Sequence, residues 1–309
     1  MDQNAAPTNQ LDPVFTVYLN DRLIPESAAH LSIWDRGFTL GDAVYDALRT
    51  FGHRPFRLQD HLLRLYRSLR YVYIDPGLTP AEMAKAVEQT LDANLHLVDR
   101  DDDVTLTVRV SRGVPGGRPT VLITCRPIDF ARFAHLYEAG VELINPTVRA
   151  VPAETLDPRV KTQSRIVNAL AEIQAAAARP GAWPLLCSGR GIITESARAN
   201  FVIVQDGLLM TPKGGRTLAG VTAAVITELA EERGYRVEER DLTPYDVLQA
   251  NEAFLTATSF CMLPVRSLDG TLINGGGVPG PVTAHLGEAL CRLTGVDFVA
   301  QARRFAHRP

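Results

Sequence analysis

The chain has little cysteine, little net charge and no long apolar run, and each shortage closes off a class of function. Its 309 residues include four cysteines, at positions 125, 187, 261 and 291. No two form a C-x-x-C pair, so neither a zinc site nor a disulfide framework is expected, no metal is assigned, and the thiols should be reduced. Lys and Arg number 32 against 35 Asp and Glu, a net charge of -3. That balance gives no bulk attraction to nucleic acid or to an anionic membrane, so any bound anion needs a local site. No stretch approaches the roughly eighteen apolar residues of a membrane span. The opening MDQNAAPTNQLDP is polar and lacks the basic-then-apolar start of a secretory signal. A cytoplasmic protein is the expectation. Walker A and G-x-G-x-x-G loops are missing too, which leaves nucleotide binding unsupported.

What is present is ordinary globular material, 46% hydrophobic and 22% charged. The length suits two domains, each with its own core. Residues 1–13 read as a disordered tail, 14–128 as an N-terminal α/β domain, 129–140 as an interdomain linker and 141–305 as a C-terminal domain. Residues 14–19 alternate as a strand, followed by the turn signal Asn20-Asp21. Leu62, Leu65, Tyr66 and Leu69 stand at helical spacing within 58–73, and Tyr71 and Tyr73 read as core rather than as a cofactor stack. Thr79-Pro80-Ala81-Glu82 sets a cap, a first-turn proline and a reciprocal glutamate together and opens a second helix. Residues 104–111 alternate with Leu106, Val108 and Val110 on one face and Thr105, Thr107, Arg109 and Ser111 on the other. Farther on, helices are expected over 165–178, 220–233 and 281–293, a hairpin over 199–210 and a buried strand over 254–258. Strands and helices mixed without regular βαβ alternation predict an α+β fold.

Some residues have chemical potential on physical grounds alone. Gly220-Val221-Thr222 enters a helix, and first-turn N–H groups with a helix dipole make an anion site; a plain glycine turn reads the same way. Thr256-Ala257-Thr258-Ser259 ends a strand in hydroxyls that could line a phosphate pocket or be ordinary strand-end chemistry. Lys161 follows a proline-containing loop, where a lysine is ordinarily a solvated charge. Glu195 follows the apolar Ile192-Ile193, and a carboxylate buried there requires a partner. Arg109, on an alternating strand, could face solvent or a ligand. His61 reads as a packing residue.

The order of these features carries a resemblance. Asp35-Arg36-Gly37-Phe38, Gly41-Asp42, Val44-Tyr45 and Arg49 come first, then Phe56-Arg57-Leu58, His61-Leu62, Arg64-Leu65 and Ser68. Val160-Lys161-Thr162, Ile193-Thr194-Glu195 with Asn200-Phe201, Leu218-Ala219-Gly220-Val221-Thr222 and Phe254 to Thr258 follow, with Pro264-Val265 and Asp269-Gly270 closing the series. Over about residues 14–295 this series resembles the class IV (fold-type IV) pyridoxal phosphate (PLP) aminotransferases, which include branched-chain and D-amino-acid transaminases. The resemblance implies a two-domain fold whose larger C-terminal domain has a β-barrel-like core. It implies that Lys161 binds PLP as an imine and shuttles a proton, and that Glu195 pairs with the pyridine nitrogen. Arg64, Val221, Thr222 and Thr258 would hold the phosphate. Tyr45 and Ser259 would sit beside the substrate, with Arg109 or Arg118 as the partner of a substrate carboxylate. The implied reaction is ping-pong transfer of an amino group between an amino acid or amine and a 2-oxo acid, in a homodimer.

Several positions depart from the family pattern. Ser164-Arg165 stands where many relatives have Asn-Tyr, and with the loop Ser111-Arg112-Gly113…Gly116-Gly117 it leans towards aminodeoxychorismate lyase, a β-eliminating branch that yields 4-aminobenzoate and pyruvate. Ala223 replaces a common arginine and Asp46 a common glutamate, whereas Tyr45-Asp46-Ala47-Leu48-Arg49 leans towards branched-chain transaminases. A non-catalytic binding protein of the same fold is the reading outside enzymology.

Overall fold

The computed structural model describes residues 14–307; the tail expected over 1–13 lies outside them. Among the described residues, two sheets organise the chain. The N-terminal half supplies β1 (Thr16–Leu19), β2 (Arg22–Pro25), α1 (Arg36–Thr39), β3 (Ala43–Phe51), β4 (Arg54–Pro55), α2 (Leu58–Tyr71), α3 (Pro80–Asp92), β5 (Val104–Ser111) and β6 (Thr120–Pro127). Its six strands run in the order β2-β1-β6-β5-β3-β4, every pair antiparallel. The alternation of β5 buries Val104, Leu106, Val108 and Val110 completely and leaves Arg109 half-buried on the opposite face. On α2, Leu62, Leu65 and Leu69 are buried against β3, each contributing about 2 kcal/mol of apolar burial.

Helix α3 begins as its sequence dictates. The Thr79 hydroxyl accepts the Glu82 N–H while the Glu82 carboxylate accepts the Thr79 N–H, with Pro80 in the first turn. Helix α2 stops at Tyr71, and Tyr73 takes a left-handed φ of 55° that turns the chain outward. The expectation that Tyr71 and Tyr73 belong to the core is therefore corrected: they are 47% and 88% exposed.

The second half supplies α4 (Leu136–Ala139), β7 (Val141–Ile144), α5 (Ile166–Ala178), β8 (Trp183–Cys187), β9 (Ile193–Ser196), β10 (Asn200–Gln205), β11 (Leu208–Pro212), α6 (Val221–Glu232), β12 (Arg236–Arg240), α7 (Pro244–Gln249), β13 (Glu252–Ala257), β14 (Cys261–Leu268), β15 (Thr271–Leu272), α8 (Pro281–Thr294) and α9 (Phe298–Phe305). Its sheet runs β12-β11-β10-β13-β14-β7-β8-β9, with β15 added on β14, and mixes parallel with antiparallel pairs. A separate apolar cluster fills each half, one centred on Leu48, Leu65 and Leu106, the other on Phe201, Phe254 and Leu263. The architecture is α+β.

A buried polar joint ties the halves together. Arg49 at the end of β3 donates to the carbonyl of Ser259 at 3.1 Å and to Gln301 Oε1 on α9 at 2.8 Å. Gln301 donates in turn to Asp103 Oδ2 at 2.8 Å. A charge this deep is tolerated because every polar end is met. The joint fixes the turn that follows β13.

Candidate functional site

Lys161 belongs to no helix or strand; tertiary pairing holds it. Residues 160–163 dock along β3 through a bridge between Val44 and Thr162, with the Tyr45 N–H bonded to the Lys161 carbonyl at 3.0 Å and the Gln163 N–H to that of Ala43 at 2.8 Å. The Lys161 N–H donates to Ser68 Oγ on α2 at 3.2 Å. Gly41 permits this approach, since at its φ of +67° a Cβ would meet Ser164 Oγ at 2.3 Å. Its Nζ lies 4.9 Å from the centre of the Tyr45 ring. Burial, reinforced by the nearby Arg64 guanidinium, pulls the lysine pKa from 10.5 down to about 8.

Glu195 on β9 shares a recess with this amine. Its Oε2 accepts the Leu218 N–H at 3.0 Å, and burial pushes its pKa up against the opposing pull of that N–H and of Lys161. Lys161, Arg165, Glu195 and Leu218 line two adjoining cavities of about 110 and about 50 Å³. The smaller one is also lined by Arg64, Asn200, Gly220, Val221, Thr222, Thr256 and Thr258. A roomier cavity of about 710 Å³ lies behind the Leu218–Val221 turn and reaches neither Lys161 nor Glu195, so it is not the chemical site.

The turn before α6 is built for an anion. Gly220 is the N-cap and, among the described residues, no side chain caps the helix, which leaves first-turn N–H groups for an anion. A Cβ at Gly220 would come within 1.9 Å of Asn200 Oδ1, which explains the glycine. Arg64 braces the turn from α2: its Nη1 donates to the Ala219 carbonyl at 2.9 Å, while its Nε and Nη2 grip both oxygens of Asp46 at 2.8 and 2.7 Å. Burial alone would raise the Asp46 carboxyl; Arg64 and His61 outweigh it and hold it below the usual carboxylate range. His61, 2.8 Å from that carboxylate, has its own pKa lowered by burial despite the acid.

The sequence had marked Asp46 only as a departure, yet a carboxylate on the buried face of an apolar strand signals a required partner, and here it has two. Arg165, also noted only as a departure, donates from Nη1 to Tyr45 Oη at 3.0 Å and from Nη2 to the Ala197 carbonyl. Tyr45 and Arg109 are register partners on β3 and β5 and so share a sheet face. Among the described residues Arg109 has one hydrogen bond, to Thr124 Oγ1 at 3.4 Å, and burial lowers its pKa. Ser259 follows the recess residue Thr258 and lines an adjacent cavity with Ala197 and Arg198. Arg118 is not brought to this cleft: it lies on an exposed loop and pairs with Asp21 at 2.9 Å.

PLP requires an amine, a carboxylate for its ring nitrogen and an anion cradle within one recess. All three are here. The recess also holds an orphan, because among the described residues the buried Thr256 hydroxyl has no partner. A buried hydroxyl left unpaired suits a recess that receives a polar group.

Comparison with known proteins agrees with this geometry. A family model described as amino-transferase class IV matches residues 43–268. A putative branched-chain-amino-acid aminotransferase of Methanocaldococcus jannaschii is 34% identical over 281 residues, 88% of this chain and 94% of the relative. A D-alanine aminotransferase of Bacillus licheniformis is 29% identical, over 89% of this chain and 95% of the relative. Among solved structures, a branched-chain amino acid aminotransferase from Thermobaculum terrenum in its PLP form superposes with a TM-score of 0.80 at 25% identity, covering 94% of this chain and 97% of that one.

Proposed function

We propose, from the premise that the chain belongs to the class IV aminotransferases, that it moves an amino group between an amino acid of the branched-chain or D type and a 2-oxo acid by a ping-pong mechanism, with Lys161 as its catalytic base. The family works with PLP, which supplies an aldehyde that condenses with amines and a ring that draws electrons from the substrate α-carbon. Lys161 would hold it and, once displaced by the substrate amine, carry a proton at Nζ; the lowered pKa favours the neutral form such a base needs. Glu195 would keep the ring nitrogen protonated, from a carboxylate oriented by the Leu218 N–H. Arg64, Val221, Thr222 and Thr258 would hold the phosphate, and Tyr45 would orient the substrate with its hydroxyl steered by Arg165.

Arg109 supports an anchoring role for a substrate carboxylate, because its guanidinium is half-buried beside Tyr45 with one long hydrogen bond among the described residues. Arg109→Met is expected to raise KM for the acidic partner of the reaction at least tenfold with little change in kcat, the mark of lost binding. A second copy of the chain would cover the apolar surface beside the lysine segment.

The observation that carries the reading is the convergence of Lys161, Glu195 and the uncapped start of α6 on one recess. Borohydride reduction should fix the cofactor on Lys161, and an amino donor should bleach an absorbance that 2-oxoglutarate or pyruvate then restores. Failure of that cycle with every donor in a panel of L-leucine, D-alanine, L-glutamate and (R)-1-phenylethylamine would sink transamination. Arg165 in the cleft favours the lyase as second reading; release of 4-aminobenzoate without an acceptor would separate the two.

A further inference from the structure

Strand β13 carries a hydroxyl that the fold does not use. Thr256 is 1% exposed, and among the described residues its Oγ1 has no hydrogen-bond partner. A valine of nearly the same shape would avoid the penalty of burying an unpaired hydroxyl, so the threonine needs a reason. Its neighbours supply one. Thr256 pairs in register with Asn200, whose Nδ2 donates to the Leu218 carbonyl at 2.8 Å and whose Oδ1 lies against Gly220. It lines the same recess as Gly220, Val221, Thr222 and Thr258. Helix α6 opens there without a side-chain cap. First-turn N–H groups and an unused hydroxyl thus border one small volume, a cluster of donors suited to an anion.

We propose that Thr256 is a further phosphate-binding residue, its Oγ1 donating to a phosphate oxygen of PLP beside the contacts assigned to Arg64, Val221, Thr222 and Thr258. The proposal rests on the PLP reading above. It assigns to the first residue of the Thr256-Ala257-Thr258 triplet a role that the sequence left open between phosphate pocket and plain strand end.

The test uses the full-length chain, freed of cofactor with hydroxylamine, as wild type, T256V, T256A and T256S. Each protein is titrated with PLP and with pyridoxal, followed by absorbance, and with inorganic phosphate, followed by thermal unfolding. T256V and T256A should bind PLP about ten- to hundredfold more weakly, the usual loss for one hydrogen bond to a charged group. Both should lose most of the phosphate-induced rise in Tm, while T256S stays close to wild type and pyridoxal binding is unchanged in all. The cofactor-free T256V should melt at or above wild type, because it buries one fewer unpaired group. Wild-type PLP affinity in T256V, an equal loss for pyridoxal, or a fall in the Tm of the cofactor-free protein would each overturn the assignment. Absence of a borohydride-fixed adduct on wild-type Lys161 would instead strike the functional reading, since the phosphate arm needs no imine.

Discussion

Lys161 shows at the scale of one residue how burying an amine ties stability to pH. Its folded pKa of about 8 lies below the unfolded value of 10.5, because burial and Arg64 disfavour the ammonium. The unfolded chain therefore binds more protons between those two values, and stability must rise with pH across that window. Below about pH 8 the lysine is charged in both states and the full penalty of burying it applies. Above about 10.5 it is neutral in both and the penalty is gone. In cofactor-free protein, urea unfolding from pH 7 to 11 should show this rise for wild type. Lys161→Met should flatten it and be the more stable protein at pH 7. A wild-type profile no steeper than that of the methionine variant would mean that the amine is solvated.

At the scale of elements, legibility followed from how local each cause was. The start of helix α3 could be read because it is encoded in four adjacent residues, Thr79 to Glu82. The core face of β5 could be read because alternation needs no partner. Helix α9 could not: it has eight residues, and its buried face presents Gln301 beside Phe298 and Ala302, so no apolar stripe marks it. That glutamine makes sense only against Arg49 and Asp103, residues 252 and 198 positions away. The site divides in the same way. The glycine turn before α6 is a local motif, whereas the burial of Lys161 comes from pairing with β3 and was legible only through the family resemblance. Tyr73 misled because aromatic spacing is silent about a left-handed residue just past a helix end. The cap of α9 tests the element directly. Asp297 accepts the Val299 and Ala300 N–H groups at 3.1 and 2.9 Å. Asp297→Ala should cost about 1 kcal/mol of stability. Because α9 carries Gln301, protection of the Gln301 amide in hydrogen exchange should fall before that of β13. Equal protection in variant and wild type would show that packing alone holds the helix.

The whole molecule leaves apolar surface uncovered beside its own site. Leu31, Ile33, Trp34, Phe38 and Leu40 are 51–76% exposed along one stretch before β3. On α5, Ile166, Leu170 and Ile173 stand at i, i+4 and i+7, 44–68% exposed, and so form a second stripe. The residues that flank the two stretches, Gly41 and Ser164, are in contact three residues from Lys161. Exposed apolar stretches of this extent commonly mark an interaction surface. A two-fold pairing through this patch would cover it twice over with one geometry. Such pairing would also press on the segment that carries Lys161, so association and cofactor retention should change together. Light scattering at micromolar concentration is expected to give twice the chain mass of 33.8 kDa. Trp34→Asp should shift the protein to monomer and speed the loss of PLP on dialysis, whereas Leu63→Asp, at a half-exposed position on α2 outside these two stretches, should do neither. A wild-type monomer at those concentrations would remove the second copy from the proposal and leave the exposed stripes without a partner.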